Sequence, residues 1–507
     1  MDGKDRDVNL REDEPTKAAE HPADTRGKPS PSGPAGVRQR QKVQQEPVEE
    51  SYVAEELASI SPKLANWIKV NAKDLKIRQT DRRWAAEVVN DFRENLLKFL
   101  KSNDEQPFFQ TAEFLTSGSY FEKVKIHSPD EFDMMLKLPV PSRLKMTKLD
   151  GGLFYRLDLA RPTRSPIRAF LLENELTISS SKILSEVYRL VRKFLKTYKV
   201  PDKCCRWEVN RKRPNSPAVT LSLCRPGNNS DELISVDVVP ALEVHPSQGW
   251  PIAVRSGPDV DNWLGKKVRQ EIKTFPCFFV PKRLKGRNLS EEAKESWRIS
   301  FSLIEKKIIT YHGNKKTCCE SNSTKCCRKQ CLMLLKSLIE GLKQRFPKEL
   351  DDLCSYHGKT AFLHNLSVRC EDSMWTSRQL PSCFLQLLGA LEGHATIGVL
   401  PHFFVPICNL FSPAVFPRKA LDFLINALQE QRREGLPLLK PPAPVPPLAQ
   451  LTPPAGVSAE EPTKQTSPPT TVHYLDAGFM NNIVLVSVAA LVCALFLRRV
   501  MESEEAL

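Results

Sequence analysis

Gly118 to Leu138 reads GSYFEKVKIHSPDEFDMMLKL, and its second half alternates with the period of a β-strand. Glu131, Asp133 and Met135 fall on one face and Phe132, Met134 and Leu136 on the other, so two carboxylates project side by side from a rigid element. About a hundred residues on, ISVDVV at 234–239 repeats the pattern, with Ile234, Val236 and Val238 facing one way and Ser235 and Asp237 the other. Three hard oxygen ligands on strands suit two divalent cations about 3.5–4 Å apart, which activate an attacking hydroxyl and neutralise leaving oxygens in phosphoryl transfer. Magnesium is the expected ion, with manganese as a substitute. Gly118-Ser119, read as following a helical stretch, offers a tight turn whose backbone N–H groups and hydroxyl approach a triphosphate without an intervening side chain.

Working outward, residues 1–55 are rich in Pro, Glu, Lys and Gly with almost no aromatic residue, and the reading is a disordered tail. The start, MDGKDRDVNLRED, is charged and lacks an apolar region, so no N-terminal leader is expected. From Ser61-Pro62 apolar residues recur at three and four, through Trp67, Ile68, Leu75, Trp84, Val88, Val89, Phe92 and Leu96, predicting a long N-terminal helix. Its other face carries Lys69, Lys73, Lys76, Arg78, Arg82 and Arg83, either a phosphate-contacting stripe or a solvated face. Strands are expected at 153–159 and 216–223 and a helix at 179–198, giving a catalytic lobe of mixed sheet and helices over 56–262. Helical patterns dominate from 263 to 436, so the fold class is α+β, with a helical second lobe and the site in the cleft between the lobes.

The chain carries net charge +14 with pI near 9.1. Residues 1–50 and 441–507 are net −2 and −3, so the body between them holds about +19, which suits a nucleic-acid partner. Fourteen cysteines without a leader point to a reducing compartment, where metal binding outweighs disulfides. Five of them lie within fourteen residues in YHGNKKTCCESNSTKCCRKQC, beside His312. One imidazole and three thiolates from a short loop meet the needs of a tetrahedral zinc ion, and the loop at 312–331 has little apolar content of its own.

Gly-Ser, then Glu-x-Asp, then a distant Asp resembles the nucleotidyltransferase superfamily of polymerase beta type. With WRISFSLIEK from Trp297, the cysteine insertion, CSYHGKTAF from Cys354 and NLFS from Asn409, residues 57–433 resemble the vertebrate cyclic GMP-AMP synthase family. That resemblance implies a bilobal enzyme with an inserted zinc thumb, idle until double-stranded DNA binds. It then makes 2'3'-cGAMP from ATP and GTP, as a homodimer on DNA upstream of STING. The resemblance assigns magnesium to Glu131, Asp133 and Asp237, triphosphate contact to Gly118 and Ser119, and zinc to His312, Cys318, Cys319 and Cys326, leaving Cys327 outside. Arg298 resembles the guanine-reading arginine with Ser300 and Ser302 beside it, Tyr356 the base-stacking tyrosine, and Lys336 and Ser355 phosphate contacts. Lys76, Lys306 and Lys329 match positive positions of the family's DNA face. The near-neutral tail, Phe121 and Leu303 depart from the usual family text. RNA as activator, or a membrane-tethered adaptor without catalysis, are the alternatives.

A Pro-rich spacer is expected at 437–477, then 20 uncharged residues at 478–497, GFMNNIVLVSVAALVCALFL, closed by Arg498-Arg499 in a short tail at 498–507. The pattern predicts a transmembrane tail anchor. The expected location is cytosol-facing and membrane-anchored, at the endoplasmic reticulum or mitochondrial outer membrane, with the nucleus as a further one.

Overall fold

The computed structural model describes residues 60–440 apart from 141–142, 226–230, 245, 256–259, 261–262, 285–288 and 316–317. All of them fall within one compact unit of the chain, residues 1–449. The N-terminal tail, the spacer beyond 440, the segment 478–497 and the closing tail lie outside the described residues. The expected membrane-anchored location is corrected: among the described residues no helix is long and apolar enough to cross a membrane.

Two helices open the fold, α1 (Pro62–Asp74) and α2 (Gln79–Lys101), where the periodicity had suggested one. No Gly or Pro breaks them. Leu75 and Ile77 are buried at the corner while Lys76 and Arg78 are exposed, an alternation that a continuing helix does not provide. Helix α1 packs on the C-terminal helices, and the Trp67 indole donates to the Leu436 carbonyl at 2.9 Å.

The strands are β1 (Glu113–Ser117), β2 (Glu131–Pro139), β3 (Leu144–Asp150), β4 (Phe154–Leu159), β5 (Arg206–Val209), β6 (Val219–Arg225), β7 (Asp231–Val244), β8 (Cys277–Val280) and β9 (Trp297–Ser300). They form one mixed sheet in the order β1-β2-β7-β8-β9-β4-β3, with β6 also on β7 and β5 on β6. Only β2 and β7 run parallel; the other described pairings are antiparallel. Phe132, Met134, Leu136 and Leu138 of β2 are buried, as are Ile234, Val236 and Val238 of β7. Each such side chain is worth about 1.5–3 kcal/mol on burial, so a slip of one residue, which would turn the carboxylates into the core, is excluded.

Short helix α3 (Gly118–Phe121) follows β1, and α4 (Ser180–Leu195) covers the sheet. Beyond 262 the chain is not helical throughout: after α5 (Lys266–Thr274) it adds β8 and β9 to the sheet. The helical region then comprises α6 (Ser302–Thr310), α7 (Arg328–Arg345), α8 (Ser355–Val368), α9 (Leu380–Ile397) and α10 (Arg418–Arg433). Leu436 and Leu439 are fully buried, which carries the folded body past the expected limit at 436.

Candidate active site and metal centre

Register brings the strand carboxylates together. Asp133 stands opposite Asp237 across the parallel β2–β7 pair, and Glu131 stands opposite Ser235. Burial first, then the charges of Glu131 and Asp237, push the Asp133 carboxyl up to about 7. Burial also raises Asp237, opposed by the Thr220 hydroxyl, which donates to its Oδ1 at 2.6 Å. Carboxylates held at this electrostatic cost are a donor set that a divalent cation relieves. One oxygen of Glu131 is held by the Lys125 ammonium at 2.9 Å, and Lys125 also meets Asp130 at 3.0 Å.

Gly118 lies against this pair. The turn follows strand β1 rather than a helix, and Gly118 opens α3 with φ of +79°. A Cβ there would overlap the Asp133 carboxylate, so both the backbone angle and the space demand glycine. Ser119 accepts from the Val124 and Lys125 amides at 2.9 and 3.0 Å, closing the turn behind the cradle.

The other expected site residues divide into two groups. Arg298 and Ser300 end β9, and the Ser300 and Ser302 hydroxyls lie 3.1 Å apart with Met135 beneath them. Ser355 is exposed at the first turn of α8. Tyr356 donates to Glu305 at 3.0 Å, and its oxygen lies 2.9 Å from His402 Nε2. Lys76 is exposed, as are Lys69, Lys73, Arg78, Arg82 and Arg83. Lys306, Lys329 and Lys336 instead turn inward. Their ammonium groups donate to the carbonyls of Thr116, Glu122 and Val124 at 2.9, 3.0 and 3.1 Å. Burial lowers the pKa of all three.

Sequence reasoning passed over Glu122, Thr220, Glu305, Lys359 and His402. Glu122, Glu305 and Lys359 sit inside the quoted motifs, but nothing in their spacing separates a buried charge from a solvated one.

Among the described residues one group of four ligating atoms lies within 4.8 Å of one another: His312, Cys318, Cys319 and Cys326. The imidazole Nδ1 donates to the Ile309 carbonyl at 2.8 Å, which fixes the tautomer and leaves Nε2 facing Cys326 and Cys319 sulfurs at 3.2 and 3.6 Å. Arg328, fully buried, pairs with Asp372 at 2.9 Å and sets a guanidinium nitrogen 3.5 Å from Cys318 Sγ. Asp372 in turn accepts from the Asn314 and Lys315 amides at 3.2 and 3.0 Å, pinning the loop. A thiolate-rich, cation-backed cluster of this kind can hold a metal such as zinc. Cys327 and Cys331 are fully buried and lie outside it.

The Mab-21 protein nucleotidyltransferase domain matches residues 120–311, and the Mab-21 protein HhH/H2TH-like domain matches 327–430. The protein is a nucleotidyltransferase, an enzyme class that uses divalent metal ions. It is 40% identical to a cyclic GMP-AMP synthase of Mus musculus over 364 residues, 72% of this chain and 68% of that relative. A Sus scrofa cyclic GMP-AMP synthase is 38% identical over 70% of this chain and 68% of its own length. A cyclic GMP-AMP synthase-like receptor of Magallana gigas is 26% identical over 60% of this chain and 48% of its own. The chain belongs to the cyclic GMP-AMP synthase family of Mab-21 nucleotidyltransferases.

Proposed function

We propose that this enzyme joins ATP and GTP into 2'3'-linked cyclic GMP-AMP when double-stranded DNA occupies its basic face, two copies assembling on one duplex, with STING as the receiver of the product. The observation that carries the reading is the placement of Asp133 opposite Asp237 with Gly118 packed against Asp133.

In this reading Glu131, Asp133 and Asp237 hold two magnesium ions, which lower the pKa of the attacking hydroxyl and offset charge on the departing pyrophosphate. The Gly118 and Ser119 amides and the Ser119 hydroxyl bind triphosphate oxygens at the opening turn of α3. Thr220 orients Asp237 through its donated hydrogen bond, which favours the ionised form against the effect of burial. Arg298, Ser300 and Ser302 read the guanine edge, Tyr356 stacks a base, and Ser355 with Lys336 meets phosphate. Lys336 already donates one of its three N–H groups to the Val124 carbonyl. Zinc on His312, Cys318, Cys319 and Cys326 stiffens its loop, and duplex phosphates dock by charge and shape at the exposed corner at Lys76.

The test incubates the full chain with ATP, GTP and magnesium, with and without duplex DNA, and reads products by mass spectrometry. A cyclic GMP-AMP mass appearing only with DNA supports the reading. Product that needs duplex RNA overturns the activator, and a linear product overturns the cyclisation.

A further inference from the structure

Residues 295–297 fasten the start of β9 to separate parts of the fold. The Glu295 carboxylate lies on the N-terminus of α4. Its Oε2 accepts from the Ser179 hydroxyl at 2.7 Å, the Ser181 amide at 3.0 Å and the Ser180 hydroxyl at 3.4 Å, and its Oε1 accepts from the Ser181 hydroxyl at 2.5 Å. Ser296 is fully buried, and its hydroxyl accepts from the Leu284 amide at 2.9 Å and donates to the Lys282 carbonyl at 3.2 Å. Trp297 is fully buried as well, and its indole donates to the Ile178 carbonyl at 2.9 Å, one residue before Ser179, the N-cap of α4.

A carboxylate at a helix N-terminus meets amides that have no partner within the helix, together with the positive end of the helix dipole. The buried Ser179 hydroxyl also accepts from the Lys182 amide at 3.0 Å, so one side chain both caps α4 and holds Glu295. Burial pushes the Glu295 carboxyl up, but the bonds from Ser181, Ser179 and Ser180 outweigh it and leave the group below its ordinary value. What this clamp holds is short. Strand β9 has four residues, pairing with β4 at Phe154 and Tyr155 and with β8 at Phe278, Phe279 and Val280. Trp297 and Ile299 are buried, which leaves Arg298 and Ser300 together on the other face. A displacement at 295–297 is therefore carried to Arg298 and Ser300 at once.

We propose that Glu295 is a positioning residue for base selection, its carboxylate clamped on Ser179 and Ser181 so that β9 presents Arg298 and Ser300 to the guanine base. This rests on the guanine-reading assignment of Arg298 and Ser300 given above. Glu295 acts through the strand, because both of its oxygens are already met by α4. The Gly118 turn follows β1, on a different part of the sheet, so loss of the clamp should weaken the selection of GTP and spare the handling of ATP.

The experiment measures kcat and the KM for GTP and for ATP, each at saturating levels of the other, in the full chain with duplex DNA. Wild type, Glu295→Ala, Glu295→Gln and Ser181→Ala are compared, with a thermal melt and hydrogen exchange of the peptides covering 295–301. Glu295→Ala should raise the KM for GTP about tenfold or more, with the KM for ATP changed by less than about threefold. Glu295→Gln, which keeps the shape and one acceptor oxygen, should fall between Ala and wild type. Exchange should rise at 295–301 and stay unchanged at 116–125. An equal rise in both KM values, or a loss of kcat that merely follows the melt, would make Glu295 a residue of the fold alone and overturn the proposal. If Glu295→Ala does not fold, Ser181→Ala decides, since it removes one donor and keeps the amide: a KM for GTP raised about threefold with ATP unaffected upholds the clamp, and no change refutes it. If the wild type yields no product, the functional reading fails by itself, and the exchange pattern judges the clamp: faster exchange confined to 295–301 in Glu295→Gln upholds it, and an unchanged pattern refutes it.

Discussion

Gly118→Ala probes the site at its tightest point. The substitution meets two separate obstacles. A non-glycine residue at φ near +79° costs about 1–2 kcal/mol. That lowers Tm by a few degrees in a body of this size. The new methyl group also claims the space of the Asp133 carboxylate, which must rotate or shift on the order of 1 Å. A displacement of that size at a reacting centre costs about 100-fold in rate. The expected outcome is therefore disproportionate, a small loss of stability with a loss of about 100-fold or more in kcat. Steady-state synthesis followed by chromatography of the nucleotide product, with a thermal melt on the same sample, reads both. Gly118→Ala retaining more than half of wild-type kcat would refute the placement of the triphosphate and metal chemistry at this turn. A melt lowered by tens of degrees would show that the glycine serves the fold rather than the site.

Other consequences follow from neighbouring contacts. Thr220→Val removes a hydrogen bond to a carboxylate, worth about 1.5–3 kcal/mol, so kcat should fall about 10–150-fold with little change in fold; an unchanged rate would detach Thr220 from the site. Cys326→Ala should release one metal per chain by elemental analysis and weaken activation by DNA, whereas unchanged metal content would refute the four-residue ligand set. Burial lowers His402 from its ordinary 6.5 to about 4, so the folded state binds this proton less readily than the unfolded chain. The resulting stability is present above pH 6.5 and lost as pH falls toward 4, about 3 kcal/mol in full. His402→Asn should flatten that acid limb in denaturant melts, and an unaltered limb would assign it to other groups. Lys76→Glu should weaken DNA binding uniformly across sequences and lower the salt slope by about 1, an outcome that sequence-dependent losses would contradict.

What was legible in the sequence was what local alternation and spacing encode. Phe132, Met134 and Leu136 against Glu131 and Asp133 gave strand and face at once, and the density of cysteines beside His312 marked the cluster, within which the resemblance picked the four residues whose ligand atoms converge. Strand β8 was hidden because all four of its residues, CFFV, are buried, which leaves no alternation to read. The corner at 75–78 was hidden because it is set by what Leu75 and Ile77 pack against, with no Gly or Pro to mark it. The Glu122–Lys359–Glu305 bridge spans 237 residues, and long-range pairing of charges leaves no periodic trace.

The lysines of this basic protein divide by burial. The family resemblance puts Lys306 and Lys329 on an outward, DNA-facing surface together with the Lys76 region. Both spend their ammonium groups on backbone carbonyls of the Thr116–Val124 segment, where a cation satisfies acceptors that would otherwise face a dry interior. Lys69, Lys73, Lys76, Arg78, Arg82 and Arg83, around the corner between α1 and α2, are exposed. That corner meets the region behind the cradle directly, since the His127 amide donates to the Leu75 carbonyl at 3.3 Å. In the proposed reading a polyanion would dock on the outward lysines, while the inward lysines hold the turn that such docking would act upon. One residue type serves two ends of one device, and only burial tells them apart.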